Sequence, residues 1–443
     1  MRVLASWLDR YSWLWLIFAA PFLLFPSPTR SLALLVLPLI WIAGGISTGT
    51  PFPRTILNPS LLLMASMVLV SLWATYDLNI SLGKVCGVML GMAVCFMFIQ
   101  KGTTRRGWLV CMGIFGLCGL GIAGASLLGT NWVIGSKWSF LTNITSKLPV
   151  SLTQVTGAAE GFHPNEVAGA LLWALPLMIT TTIGLARKLY FQSKRRDDNY
   201  GYRSKIWIAF IMVGIACLFS LLILVLTQSR TAYLALILTL IILGWVILPR
   251  RWQIGLAVLA VIGVAIFGFY VNSMGADTLD RFLFESNAGD ASNSINTIEG
   301  RLEIWRRAYE CVRDFPYTGM GMNTFRTVVY VVHPPLLFSP SIDIGHAHNE
   351  FLQAALDLGV PGLLAFIGLY VAAFILIYKG YHLASQVDPD ALPWILGLAG
   401  GLIAHGLFGL NDAVALGAKP GILYWMLLGL SAGLPNWLRK STE

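Results

Sequence analysis

The sequence predicts an all-α polytopic membrane protein with about twelve transmembrane helices, and three observations lead there. Of 443 residues, 56% are hydrophobic and only 12% charged, whereas a soluble domain carries about 25% charged residues. Aromatic residues make up 12%, with 16 Trp, as suits a chain with long membrane–water boundaries where Trp and Tyr settle. Twelve stretches are also long and apolar enough to cross a hydrocarbon core, which takes about 20 residues. A soluble protein with a solvated surface and a disordered chain are both excluded.

The spans fall at about 11–27, 31–48, 57–75, 80–100, 107–128, 165–186, 206–228, 231–248, 252–271, 359–378, 392–410 and 419–436. The first follows Arg2 and Arg10 like a signal peptide. No small-residue cleavage site follows it and a second span begins at once, so it reads as a span. With the N-terminus inside, the cytoplasmic stretches collect 18 Lys and Arg, seven of them in RKLYFQSKRRDDNYGYRSK. The short outside loops hold only Arg30, Lys137, Lys147, Arg230 and Lys419. This bias places both termini in the cytoplasm. It also explains the net charge of +9 without a nucleic-acid partner.

Residues 1–271 thus carry spans 1–9, residues 272–358 an outside loop, and residues 359–443 spans 10–12. A loop this long is usually functional. It opens on a turn-rich stretch, ESNAGDASNSINT, and continues into IEGRLEIWRRAYECVRDF. There Leu302, Trp305, Tyr309 and Val312 recur at helical spacing, with Glu299 in the first turn and Arg313 near the end. Five cysteines lie in apolar stretches and Cys311 stands alone in a polar one. With no C-x-x-C and no Cys/His cluster, neither a disulfide nor a structural metal is expected.

Three outside features carry candidate chemistry. Arg230, in LTQSRTAYL, sits at the boundary between spans 7 and 8. A guanidinium there either snorkels to the interface or holds an anion such as phosphate with its planar fork. The large loop adds Arg281, Arg301, Arg306, Arg307, Arg313 and Arg326. Arg301 stands out at a helix start, where backbone N–H groups also favour anions; most of the others read as a solvated face. Last, His346, His348 and Asn349 precede span 10 in GHAHNEFLQAALDLGVPG. Neither histidine has a further ligand at zinc spacing, but an imidazole near neutrality can serve as a general base. His163, before Pro164 and Glu166, reads as a helix cap. His405 lies mid-span among glycines, a functional candidate by position and a packing site by neighbours. No nucleotide-binding glycine motif occurs.

The stretch from His348 to Gly362 reads HN, nine residues, then GVPG. It resembles the H-[N/S/Q]-x9-G-x-x-[G/T/Y] signature of bacterial O-antigen ligases, within the O-antigen ligase and polymerase superfamily. QSRTAYLAL (228–236) is similar to that family's earlier arginine motif, and Gly300-Arg301 through DFPYTGMGMNTF (314–325) to the segment before the signature. The resemblance implies a membrane glycosyltransferase of GT-C type in the bacterial inner membrane, with its active site facing the periplasm. It implies a donor glycan on undecaprenyl pyrophosphate and a lipid A-core sugar hydroxyl, or another glycan, as acceptor. No metal or cofactor is implied. By the same resemblance Arg230 and Arg301 bind the pyrophosphate and His348 is the base, while His346, Asn349, Arg281 and Arg326 are secondary candidates. Asn349 is expected to orient His348. A polymerase of the same superfamily is the nearest alternative. A solute transporter is the alternative of a different class, although its usual two related halves are not seen.

Overall fold

The computed structural model describes residues 2–132, 139–148, 161–195, 200–274 and 298–440. A helix occupies every one of the twelve expected stretches. Among the described residues, eight helices meet the length and hydropathy needed to cross a membrane, and Ser12–Leu24 and Asn58–Ala74 are shorter apolar helices. No strand forms among the described residues beyond an isolated bridge between Thr130 and Phe162. The protein is an all-α, multi-pass membrane protein. Arg281 and the turn-rich stretch around it lie outside the described residues.

Four helices need labels. We number all helices in chain order, so that Pro164–Arg195 is α8, Ile298–Asp314 is α12, Glu350–Val387 is α14 and Leu392–Gly409 is α15. The apolar core centres on α8, whose stretch from Val167 to Met178 is almost wholly buried, and on α15 packed along it. Helix starts follow local chemistry. Asp77 accepts from the Asn79 amide at 2.9 Å, Thr104 from Gly107 at 3.2 Å, and Asn349 from Leu352 at 2.9 Å, each satisfying a donor the helix leaves open. His163 caps as expected, its Nδ1 accepting from the Asn165 amide at 3.3 Å.

At one end of the bundle, residues 298–349 build a second, smaller core from Ile304, Ala308, Cys311, Phe325, Val329, Phe338, Ile344 and Ala347. The expected stripe on α12 is half met: Trp305 and Val312 pack against this core. Leu302 and Tyr309 are exposed, and Ile304, Ala308 and Cys311 face inward with Arg301. Apolar residues lie on both sides of this helix, so spacing alone allowed two faces. Along the helix Arg307 bonds Glu303 and Glu310, each at 2.9 Å, and Glu303 ties it to the following loop by accepting from the Leu336 amide at 2.9 Å. Burial pushes the Cys311 thiol up to about 12, so it is an inert packing residue.

The joint between this small core and the bundle is a backbone interlock. Helix α14 is broken at Gly359, whose φ of 70° and ψ of 177° are open only to glycine. The break frees backbone groups that the segment 316–320 takes up. The Met320 amide donates to the Leu356 carbonyl at 2.7 Å, and the Val360 amide donates to the Pro316 carbonyl at 2.7 Å. A Cβ on Gly359 would stand 2.7 Å from the Tyr317 backbone. Beyond it, Ser81 donates to the Met322 carbonyl at 2.7 Å and Asn323 to the Ile80 carbonyl at 3.2 Å, docking the turn on the start of helix Leu78–Lys101.

Gly359→Ala should therefore lower the unfolding temperature of the protein in detergent far more than Gly345→Ala. Gly345 shares the φ of 70° but has open space around its Cβ position, leaving only a left-handed penalty of about 1–2 kcal/mol. Equal melting of the two variants would contradict the interlock.

Candidate active site

The site forms where four separated segments meet, and its hub is Asp412, on the loop after α15. Asp412 is 2% exposed. Its Oδ1 lies 3.2 Å from Nδ1 of His348 and 3.9 Å from Nε2 of His346, and its Oδ2 lies 3.9 Å from Nη2 of Arg301. Nη1 of Arg301 also donates to the Asn411 carbonyl. Arg301 is thus buried, 6% exposed, rather than displayed at an open helix start. Arg230 opens helix Arg230–Ile247, and its neighbour Thr231 accepts from the Asn411 side-chain amide at 3.2 Å. Both arginine motifs therefore converge on residues 411–412.

His348 stands immediately before α14 in a left-handed conformation, φ 48°. Its amide donates to Nδ1 of His346 at 3.1 Å, and the two rings lie 4.4 Å apart. Among the described residues the other non-glycine positive φ angles are at Gln228 and Asn323, so each of the three motif segments holds one strained residue, as functional sites often do. Asn349 is not what orients His348: its Oδ1 caps α14 and its Nδ2 donates to the Leu410 carbonyl at 2.9 Å. The ring is held by Asp412 instead. Arg326 is tied to Asp343, its Nε at 2.9 Å, and Asp343 in turn accepts from the Gly345 amide at 3.0 Å. It braces the loop that leads to His346.

Electrostatics follow from this crowding. Burial alone would raise the Asp412 carboxyl, but the hydrogen bond and charge of His348, with the charge of Arg301, outweigh it and hold the group far below the ordinary carboxylate range. Burial, followed by the charge of His348, keeps His346 well below an ordinary histidine, so it stays neutral at pH 7. With Asp412 ionised and taking the Nδ1 hydrogen of His348, Nε2 is left with its lone pair to accept a proton. A carboxylate–imidazole pair of this kind can serve to orient a general base.

Sequence reasoning missed Asp412, which lies 64 positions from His348 and belongs to no motif. Neither histidine has a further ligand at zinc spacing in the sequence, but the fold brings Asp412 to both. His346, His348 and Asp412 place one donor atom each within 4.8 Å of one another, a set able to hold a metal ion. Arg301 fixes a positive charge on the same carboxylate, which opposes a divalent cation there. Lys84 was also missed, although it is the sole charge between Asp77 and Lys101 in an apolar helix and its charge reaches His346.

A multi-pass helical protein with a buried Arg–Asp–His centre at one end of the bundle is the class these features define. Residues 215–367, about a third of the chain, match the family model described as O-Antigen ligase. Over these residues the chain is similar to the domain that characterises O-antigen ligases. The match includes Arg230, Arg301 and His348 and stops before Asp412. No curated protein matches the chain.

Asp412→Ala would leave Arg301 buried without its carboxylate. Breaking a buried pair this way costs about 3–5 kcal/mol, to be read as a fall in denaturant or thermal stability, while Asp412→Asn should fall by less. Wild-type stability in Asp412→Ala would show that the pair does not hold these segments together.

Proposed function

We propose that the protein is a glycosyltransferase of the O-antigen ligase type, moving a glycan from undecaprenyl pyrophosphate to a sugar hydroxyl of lipid A-core. The observation that carries this reading is the joining of His348 to Asp412 beside Arg301, with the Arg230 segment docked on the same loop. His348 takes the proton of the acceptor hydroxyl at Nε2, and the freed oxygen attacks the anomeric carbon from the side opposite the leaving group. The bond from that carbon to the diphosphate oxygen breaks, its electron pair leaves with undecaprenyl pyrophosphate, and the anomeric configuration inverts. Arg230 and Arg301 take up the developing charge, which preorganised cations stabilise strongly in a site shielded from water. The Lys/Arg bias of the loops supports a protein of the bacterial cytoplasmic membrane with both termini inside and this centre at the periplasmic face.

Purified protein given an undecaprenyl-pyrophosphate glycan should glycosylate lipid A-core in preference to a second glycan-lipid. Elongation of the second glycan-lipid instead would make it a polymerase, and vesicle uptake without any glycan product would make it a transporter. Transfer should survive EDTA. Activity abolished by EDTA and restored only by magnesium or manganese would give His346, His348 and Asp412 to a metal. His348→Ala should lose about 10²–10⁴-fold in single-turnover rate with donor binding intact. Lysine at Arg230 or Arg301 should weaken turnover and donor affinity, because an ammonium lacks the bidentate fork. Full activity in the two lysine variants would remove the arginines from the pyrophosphate site.

A further inference from the structure

The first residue of α14 buries a carboxylate that the reaction above does not use. Glu350 is 4% exposed, and its Oε2 lies 2.7 Å from Nε2 of His405, near the C-terminal end of α15. Nδ1 of His405 lies 3.0 Å from the Gly169 carbonyl of α8, and the ring stacks on Trp173 with centroids 3.8 Å apart. A carbonyl only accepts, so Nδ1 carries a hydrogen, and a second proton closes the contact between Nε2 and the Glu350 carboxyl. Both edges of the imidazole are therefore committed, one to α8 and one to the start of α14.

A buried polar pair adds little stability over apolar packing of the same volume. What it adds here is direction, because one placement of Glu350 against His405 satisfies both nitrogens. The surroundings enforce that placement. Gly409 leaves room for the carboxyl, since a Cβ there would stand 2.8 Å from Oε2, and Asn349 bonds the next carbonyl, that of Leu410. The chain from 405 to 412 thus grips the chain from 348 to 350 at three successive points: His405 on Glu350, Leu410 on Asn349, and Asp412 on His348.

We propose that Glu350 and His405 are a buried positioning pair that sets the start of α14, and through it the His348 imidazole, against Asp412. The proposal rests on the reading of His348 as the base. A displacement of about 1 Å at a reacting group can lower a rate about 10²-fold, so the pair acts on turnover without touching either substrate.

Two substitutions separate its bonds. His405→Asn reaches the Nδ1 position and keeps the bond to Gly169, but is too short for Glu350. His405→Gln reaches the Nε2 position and meets Glu350. His405→Asn should lower kcat about 10–10²-fold at unchanged donor KM and speed amide hydrogen exchange in residues 346–353. His405→Gln should stay near wild type in both. Wild-type exchange and kcat in His405→Asn would overturn the proposal, as would equal losses of kcat and melting temperature in both variants, the mark of a packing role. Exchange needs no turnover. A chain inactive towards every acceptor would refute the proposed function, while the exchange pattern would still decide whether the pair fixes this helix start.

Discussion

A single buried carboxylate organises the functional end of this protein. Ionised in a site screened from water, Asp412 must be compensated, because an unpaired buried charge is far too costly to keep. The compensation comes from His348 and Arg301, residues from two other segments. Asp412 faces Nδ1 of His348 and lies beside the buried Arg301 guanidinium, which also donates to the Asn411 carbonyl. The adjoining Asn411 draws in the Arg230 segment through Thr231. Chain segments more than a hundred residues apart thus meet through polar contacts at this point, on top of the apolar core that packs the Arg301 helix against the loop before His348.

That arrangement needs a rigid approach from the helix that carries His348. The break at Gly359 provides it by letting residues 316–320 hydrogen-bond into the gap. Glycines on both sides make this possible, since a Cβ on Gly319 would stand 2.6 Å from the Gly359 nitrogen. The two motif segments therefore form a single structural unit, in which the turn carrying Gly319 holds the half-helix that follows His348. The strained backbone at His348, φ 48°, is held in place by these contacts on either side of it.

Much of this was legible in the sequence, for identifiable reasons. Spans showed because a hydrocarbon core demands about 20 apolar residues in a row, and every expected stretch is a helix. Arg230, Arg301 and His348 showed because they sit in local motifs. Asp412 did not, since its partners are distant in sequence and a lone Asp beside Asn411 reads as an ordinary loop. On α12 the spacing found Trp305 and Val312, which pack on the small core, but also Leu302 and Tyr309, which are exposed, and it passed over Ile304 and Ala308, which are buried. His405 was visible as an intramembrane histidine, but its partner Glu350 lies 55 positions away, and no local pattern joins the two. Lys84 could have been found by the rule that a charge inside an apolar span is functional by default.

In the proposed reaction Asp412 and His348 act as one base, and a double-mutant cycle on the transfer rate tests this most directly. Single-turnover transfer would be measured for Asp412→Asn, His348→Ala and the double variant, with donor saturating. If the carboxylate works through the imidazole, Asp412→Asn alone is strongly slowed and the double variant is no slower than His348→Ala. Additive losses, or an Asp412→Asn variant that transfers at the wild-type rate, would contradict the coupling.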